Sequence, residues 1–371
     1  MKKGGLCIRR SIYIGYKKMK KLLCLFLAMM VLMSCTALET SQKEKVKVTM
    51  KEVEALFETT PVDVDDDAAD DPAIWVHPLD PDKSLVLGTN KKKGLEVYDL
   101  SGKRLQVLPT GRLNNVDIRQ NVLLGKERVD LAVATNRTTR SLDIFRIDRK
   151  DGEVTLMQEL AVALTLDEPY GICLYQPSGL IELHAFVNDK DGRYQQWRIN
   201  EVSILLGEFK LDSQPEGCVA DDDNKVLYAG EENKGVWRVE LDEPGVFERA
   251  LMDKVGSGRL TADVEGMTLY RSSAKTGYLL VSSQGSNSYA VYERHGSNRY
   301  IDSFRIIDNR SKPIDGSSET DGISVSSVLS TSVFPEGLLV VQDGKNTRPE
   351  QNQNFKYISW KDIRQALGLG G

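Results

Sequence analysis

A short hairpin recurs six times along the chain, and this recurrence limits the fold more than any other feature. An apolar strand ends in small or polar residues, a polar turn follows, and a second strand rich in aromatic or β-branched residues returns. The six instances start at Leu85, Leu131, Ala185, Leu227, Leu279 and Leu338, with return strands over 94–100, 141–147, 194–199, 235–241, 289–294 and 355–360. The starts lie 42 to 59 residues apart, the length of one four-stranded blade with its loops. An all-β, six-bladed β-propeller is therefore predicted. A β-sandwich or two smaller β domains would give no reason for one hairpin to recur from end to end. Only 360–367, after the last strand, has a helical pattern.

In a ring of blades, equivalent turns emerge at one end of the central channel. Lys91, Lys92, Arg137 and Lys190 come from the first three units, and Glu231, Glu232, Gln284 and Asp343 from the last three. One half of the mouth is expected to be cationic and the other anionic. Beyond residue 35 the chain has 41 basic and 54 acidic residues, a balance that argues against a nucleic-acid partner, which needs clustered positive charge. It suits a protein that collects cations.

The first 35 residues carry eight Lys or Arg and no Asp or Glu. Lys17, Lys18, Lys20 and Lys21 form a basic region, Leu22 to Met33 an apolar one too short to span a membrane, and Ser34-Cys35 follows at once. Residues 1–35 thus read as an export signal ending in a lipoprotein box, with Cys35 the lipidated first residue of an exported, membrane-anchored protein on the periplasmic or cell-surface side. A plain signal peptide cleaved nearby is the alternative, and Met19 is a second candidate start. Residues 36–50 form a polar tether, and 51–371 the propeller domain. Cys173 and Cys218 have no metal-site spacing; two buried free thiols are favoured, with one disulfide the open alternative. Nothing apolar and exposed calls for a second subunit, so a monomer is expected.

Acidic residues gather in runs: 63–71, Glu216, Asp263 with Glu265, and Asp315, Glu319 and Asp321. Singly, each is a solvated charge or a turn former. Their settings differ, however, because Asp70-Asp71 runs straight into Pro72-Ala73-Ile74-Trp75, and Glu216 and Glu265 each precede a glycine beside a strand. Calcium takes six to eight oxygen ligands. No EF-hand loop is present, so a calcium site here must be assembled from distant segments, as a propeller mouth allows.

These motifs, with Thr89-Asn90-Lys91-Lys92, Leu113-Asn114-Asn115-Val116-Asp117, Asn136-Arg137, Tyr170-Gly171, Thr261-Ala262-Asp263-Val264-Glu265-Gly266, Ser282-Ser283-Gln284-Gly285, Thr320-Asp321-Gly322-Ile323 and Asn352-Gln353-Asn354-Phe355, resemble the β-propeller phytases in order from about Glu58 to Trp360. The resemblance implies Ca2+-dependent removal of phosphate from inositol hexakisphosphate, free or as calcium-phytate, by a calcium-activated water and without a covalent intermediate. It implies catalytic calcium ions on Glu58, Asp70, Glu216, Glu232, Asp263, Glu265 and Gln284, and a structural ion on Asp71 and the main-chain oxygens of Pro72 and Val116. It further implies a phosphate grip by Lys91, Lys92, Arg137, Tyr170 and Lys190, with Asp321 at the same mouth. Asp315 and Asn346 match a further structural calcium site. There Lys345 and Arg348 stand where the family has acidic ligands, so that site is expected to be weak or absent.

Arg294-His295-Gly296-Ser297-Asn298-Arg299 resembles the signature of histidine acid phosphatases, but the second Arg is one place late, Tyr300 replaces Pro and no His follows. It reads as a strand end and a loop. Three scattered His make no zinc site. A calcium-dependent lactonase or esterase would leave Lys91, Arg137 and Lys190 without a task, and a non-catalytic ligand-binding propeller would not need metals facing cations.

Overall fold

In a computed structural model, residues 50–370 apart from Leu180 are described; the leader, Cys35 and nearly all of the tether lie outside them. Six sheets, antiparallel apart from one added strand, follow one another along the chain; the first four run from an inner to an outer strand in sequence order, and the last two add N-terminal strands at their outer edges. The inner strands are Ala69–Trp75, Leu113–Leu124, Pro169–Tyr175, Pro215–Asp221, Val264–Arg271 and Ile323–Ser326, for blades 1 to 6. Each packs against the next, and the sixth against the first, so the ring is closed. The predicted hairpins are the second and third strands of every blade.

Blades alternate apolar and polar residues weakly because both faces of each sheet are covered. Six hydrophobic clusters result, each between neighbouring blades. Between blades 3 and 4, Cys173 and Cys218 sit on adjacent inner strands with Cα atoms 5.8 Å apart and are joined by a disulfide. The favoured reading of two free thiols is thus corrected: only the fold brings residues 45 apart onto facing inner strands. The 360–367 pattern is an α-helix, Trp360–Leu367, ended by Gly368 in the left-handed conformation, with Trp360 and Ile363 buried beneath it.

The ends of the ring are tied by the first strands of the domain. Phe57–Glu58 pairs antiparallel with Asn354–Ser359 as the outer strand of blade 6. Lys51–Glu54 adds a parallel fifth strand to blade 5. Neither role follows from the local sequence, because each strand is too short to carry a pattern.

The inner strands of blades 1 to 5 share one irregularity. Each shifts register just after its start, across Asp70-Asp71, Asn114-Asn115, Tyr170-Gly171, Glu216-Gly217 and Glu265-Gly266. A bulge re-aims side chains at a sheet edge, and here five bulges aim them at one end of the channel. The glycines answer to crowding at the axis: a Cβ at Gly171 would lie 1.8 Å from the Glu216 carbonyl oxygen, and one at Gly217 2.3 Å from that of Glu265.

Candidate active site

The bulged residues open into a cavity of about 510 Å³ lined by Lys91, Tyr170, Glu216, Glu232, Asp263, Glu265, Gln284 and Asp321, with Asp67 and Glu319 at its rim. On its anionic side, one carboxylate oxygen from each of Glu216, Glu232 and Glu265 lies within 4.8 Å of the others, and all three residues are buried. Of the adjacent pair Glu231-Glu232 the fold selects the second. Glu231 turns away to accept hydrogen bonds from Ser213 and Trp237.

Burial, with the Glu216 charge beside it, pushes Glu265 well above the usual carboxylate range and Glu232 up to about 7. Burial does the same to Asp70 against the pull of Lys91. Both oxygens of Asp70 and one of Glu265 are buried and accept no hydrogen bond among the described residues, although Lys91 Nζ stands 3.2 Å from Asp70. An unmatched buried carboxylate is costly. Hard oxygen donors with unused lone pairs, converging from three blades, are what a calcium ion takes, so these residues fit one. Gln284 donates through its amide nitrogen to Asp321 at 2.7 Å, leaving its side-chain oxygen for such a role.

The cationic side is built around Tyr170. Lys190 Nζ lies 4.5 Å, and the Arg137 guanidinium 5.6 Å, from the centre of its ring, an arrangement that favours cations over an aromatic face. Burial first and Glu216 second raise the Tyr170 hydroxyl, which stays protonated. Lys91 Nζ sits among Asp67, Asp70 and Asp321 at 2.6, 3.2 and 3.0 Å. Burial acts against its charge, but Asp70, Asp321 and Glu216 outweigh burial and hold it protonated. Asp321, pushed up by burial to about 6, thus ties Lys91 to Gln284. Lys92 stands half exposed on Asp66 at 3.4 Å.

Asn114, a residue to which the sequence assigns no role, joins the two sides. Its amide donates to Glu216 at 3.2 Å and to Asn115, and its oxygen accepts from Arg137 at 3.2 Å. The signal available was its place at the second position of a bulged inner strand, equivalent to Asp70, Tyr170, Glu216 and Glu265.

Other predicted ligands lie apart. Asp71, Pro72 and Val116 meet at a small cavity of about 50 Å³ in the channel, where the Val116 N–H donates to Asp71 at 3.0 Å. Glu58, Asp315 and Asp343 converge instead on Lys356, at 2.5, 2.5 and 3.2 Å from its buried ammonium. Asp315 also accepts from the Thr347 N–H and hydroxyl, so both its oxygens are engaged. Asn346 is buried nearby with an unpartnered oxygen, while Lys345 pairs with Glu319 and Arg348 with Asp308. The Arg294 motif is a clasp between blades: its guanidinium is fully buried on Asp221 and Asp223.

A propeller whose channel mouth sets buried carboxylates against an aromatic-backed cationic pair matches known proteins along its length. The phytase family model matches residues 20–370. The 3-phytase of Bacillus subtilis (strain 168) is 40% identical over 363 residues, 95% of this chain and 94% of the relative. The chain belongs to the phytase family. Among solved structures, a nidogen/laminin complex is 15% identical over 72% of this chain and 92% of that one, with a TM-score of 0.46. BBS1N in complex with ARL6DN is 12% identical over 74% of each chain, with a TM-score of 0.42. Scores at that level bear neither on the fold nor on function.

Proposed function

We propose that the chain is a calcium-dependent phytase that hydrolyses phosphomonoesters of inositol hexakisphosphate, free or as its calcium complex, with water as the nucleophile. The observation that carries this reading is the meeting, at one mouth, of unpartnered buried carboxylate oxygens with Lys91, Arg137 and Lys190. Membership of the phytase family and the 3-phytase relative support it. Among the described residues lining the mouth there is no serine, cysteine or histidine to act as a nucleophile.

Glu216, Glu232, Asp263, Glu265 and Asp70, with the Gln284 side-chain oxygen, would hold the catalytic ions, and Asp71 with main-chain oxygens of Pro72 and Val116 a structural one. Glu58, tied to Lys356, is assigned to the catalytic set by resemblance alone. No ion is assigned to Asp315 and Asn346. Calcium in the mouth supplies positive charge against the phosphates and acidifies water. Arg137 and Lys190 grip one phosphate, and the Tyr170 hydroxyl, holding its proton, donates a hydrogen bond to it. Lys91 keeps its proton and donates to a phosphoryl oxygen as negative charge develops there. Lys92, at the rim, reaches a neighbouring phosphate. Removing one such preorganised donor costs about 100-fold in rate. Export, lipidation at Cys35 and a monomeric state belong to the same proposal and rest on the leader and composition.

The test is phosphate release from phytate by the full-length protein with calcium, with chelator, and in Lys91→Ala and Arg137→Ala variants. Calcium-dependent release that falls about 100-fold in both supports the reading. Undiminished release under chelation removes calcium from it, and no release under any condition leaves a ligand-binding propeller. Detergent partition lost in Cys35→Ser would support the lipid anchor; unchanged partition would remove it.

A further inference from the structure

The turn after the second strand of blade 1 carries three lysines in a row, and an acidic segment of the same blade covers them one for one. Asp67 lies 2.6 Å from Lys91, Asp66 3.4 Å from Lys92, and Asp63 3.0 Å from Lys93. Asp63 is further fixed by Arg104 and belongs to the scaffold. Asp66 and Asp67 are different: their side chains are 77% and 62% exposed. Asp66 stands at φ 83°, outside the regions a non-glycine residue favours, and its carboxyl is held below the usual range by the Asp67 N–H and then by Lys92. None of this was assigned from the sequence, where 63–67 reads as solvated charge.

We propose that Asp66 and Asp67 are an internal competitor for substrate phosphate, occupying Lys92 and Lys91 until a polyanion displaces them, and so select for densely phosphorylated ligands. The inference rests on the reading of Lys91 and Lys92 as phosphate-binding groups. The Lys92–Asp66 pair is exposed on both sides and the Lys91–Asp67 pair on the aspartate's side; a pair open to water weighs a factor of about two to five, so the aspartates yield to a ligand that offers both lysines a phosphate at once. A monoester engages only one lysine, and it must displace a carboxylate already in contact. Substrates of low charge therefore bear the competition without the compensating second contact. Asp65, which makes no ion pair among the described residues, is the internal control.

The experiment compares full-length wild type with Asp67→Asn, Asp66→Asn and Asp65→Asn. It measures phytate and p-nitrophenyl phosphate hydrolysis in calcium, and equilibrium binding of inorganic phosphate by calorimetry. Asp67→Asn is expected to tighten phosphate binding and lower KM for the monoester about three- to fivefold, with a smaller change for phytate and kcat within about twofold. Asp66→Asn follows in the same direction and Asp65→Asn is silent. Unchanged or weaker phosphate binding in Asp67→Asn overturns the inference. So does a fall in kcat with a higher calcium requirement, which would make Asp67 a metal ligand. If wild type binds phosphate but cleaves no phytate, the proposed activity fails, while the binding comparison still decides the competition. A wild type that binds no phosphate overturns both.

Discussion

The two ends of the channel both carry buried or half-buried acidic groups and treat them in opposite ways. Away from the mouth, Asp117 accepts from the N–H groups of Ile118 and Leu174 at 2.7 and 2.8 Å and from Arg119. Asp222 accepts from the Gln176 N–H at 2.9 Å and pairs with Arg119. Asp221 is closed off by Arg294 and Asn224, which hold its carboxyl below the usual range against the effect of burial. At the mouth, Asp70 and Glu265 are about as deeply buried as Asp221, yet both oxygens of Asp70 and one of Glu265 go unmatched and their carboxyls are driven up. Where the protein supplies the donors, acid is structure; where it withholds them, acid is a site for something from outside.

Breaking the satisfied end gives the largest effect. Arg294→Ala strands Asp221 in the interior and is expected to cost about 3–5 kcal/mol of stability in denaturant titration, with phosphate release by the folded fraction unchanged. A loss under about 1 kcal/mol would mean water reaches Asp221 and the two ends are less different than they look. Replacing Cys173 and Cys218 by Ala is expected to cost about 2–4 kcal/mol, read as a lower midpoint that reductant no longer shifts.

Breaking the unsatisfied end has the opposite signature. Glu216→Gln should lower phosphate release about 100-fold, close to 2.7 kcal/mol, while the melting temperature in chelator holds or rises, because a charge facing Glu265 and Glu232 is gone. A melting temperature that falls instead would place Glu216 among the structural carboxylates. The smallest effect sharpens the contrast through pH. Without metal, Glu232 and Asp321 keep protons up to about 7 and 6, whereas the unfolded chain releases them near 4. Their contribution to stability is thus complete below that range and lost as pH rises through the folded values. Calcium, which takes the deprotonated forms, should therefore raise the melting temperature more at pH 8 than at pH 5, by a few degrees. A pH-independent gap would mean that Glu232, the proposed ligand of the two, does not bind the ion.

Much of this was legible because repetition multiplies a weak signal. One hairpin such as Leu227 to Leu241 proves little, but six at blade spacing leave few folds. The convergence of Lys91, Arg137 and Lys190 with Glu232 and Gln284 follows from that repetition, since each follows the end of a second strand. What stayed hidden depends on neighbours far along the chain. Asp343 is the last residue of its second strand, the position of Glu231 rather than of Glu232, and Lys356 beside it holds its carboxylate at 3.2 Å. The disulfide, the Asn114 bridge and the pairing of 63–67 with the lysines needed the third dimension, because charge runs and lone cysteines look alike on paper whether paired or free.

The closure of the ring carries a consequence for how the molecule comes into being. Thr59 accepts a hydrogen bond from the N–H of Phe355, 296 residues later, and Phe57–Glu58 has no sheet to join until Asn354–Ser359 exists. A chain delivered from its first residue onward holds its earliest strands as loose ends until its last strand arrives. Blade 6 and the circle are then completed together, so the mouth, which draws on blades from both ends of the sequence, is assembled only at the finish. A partly made chain has blades but no mouth.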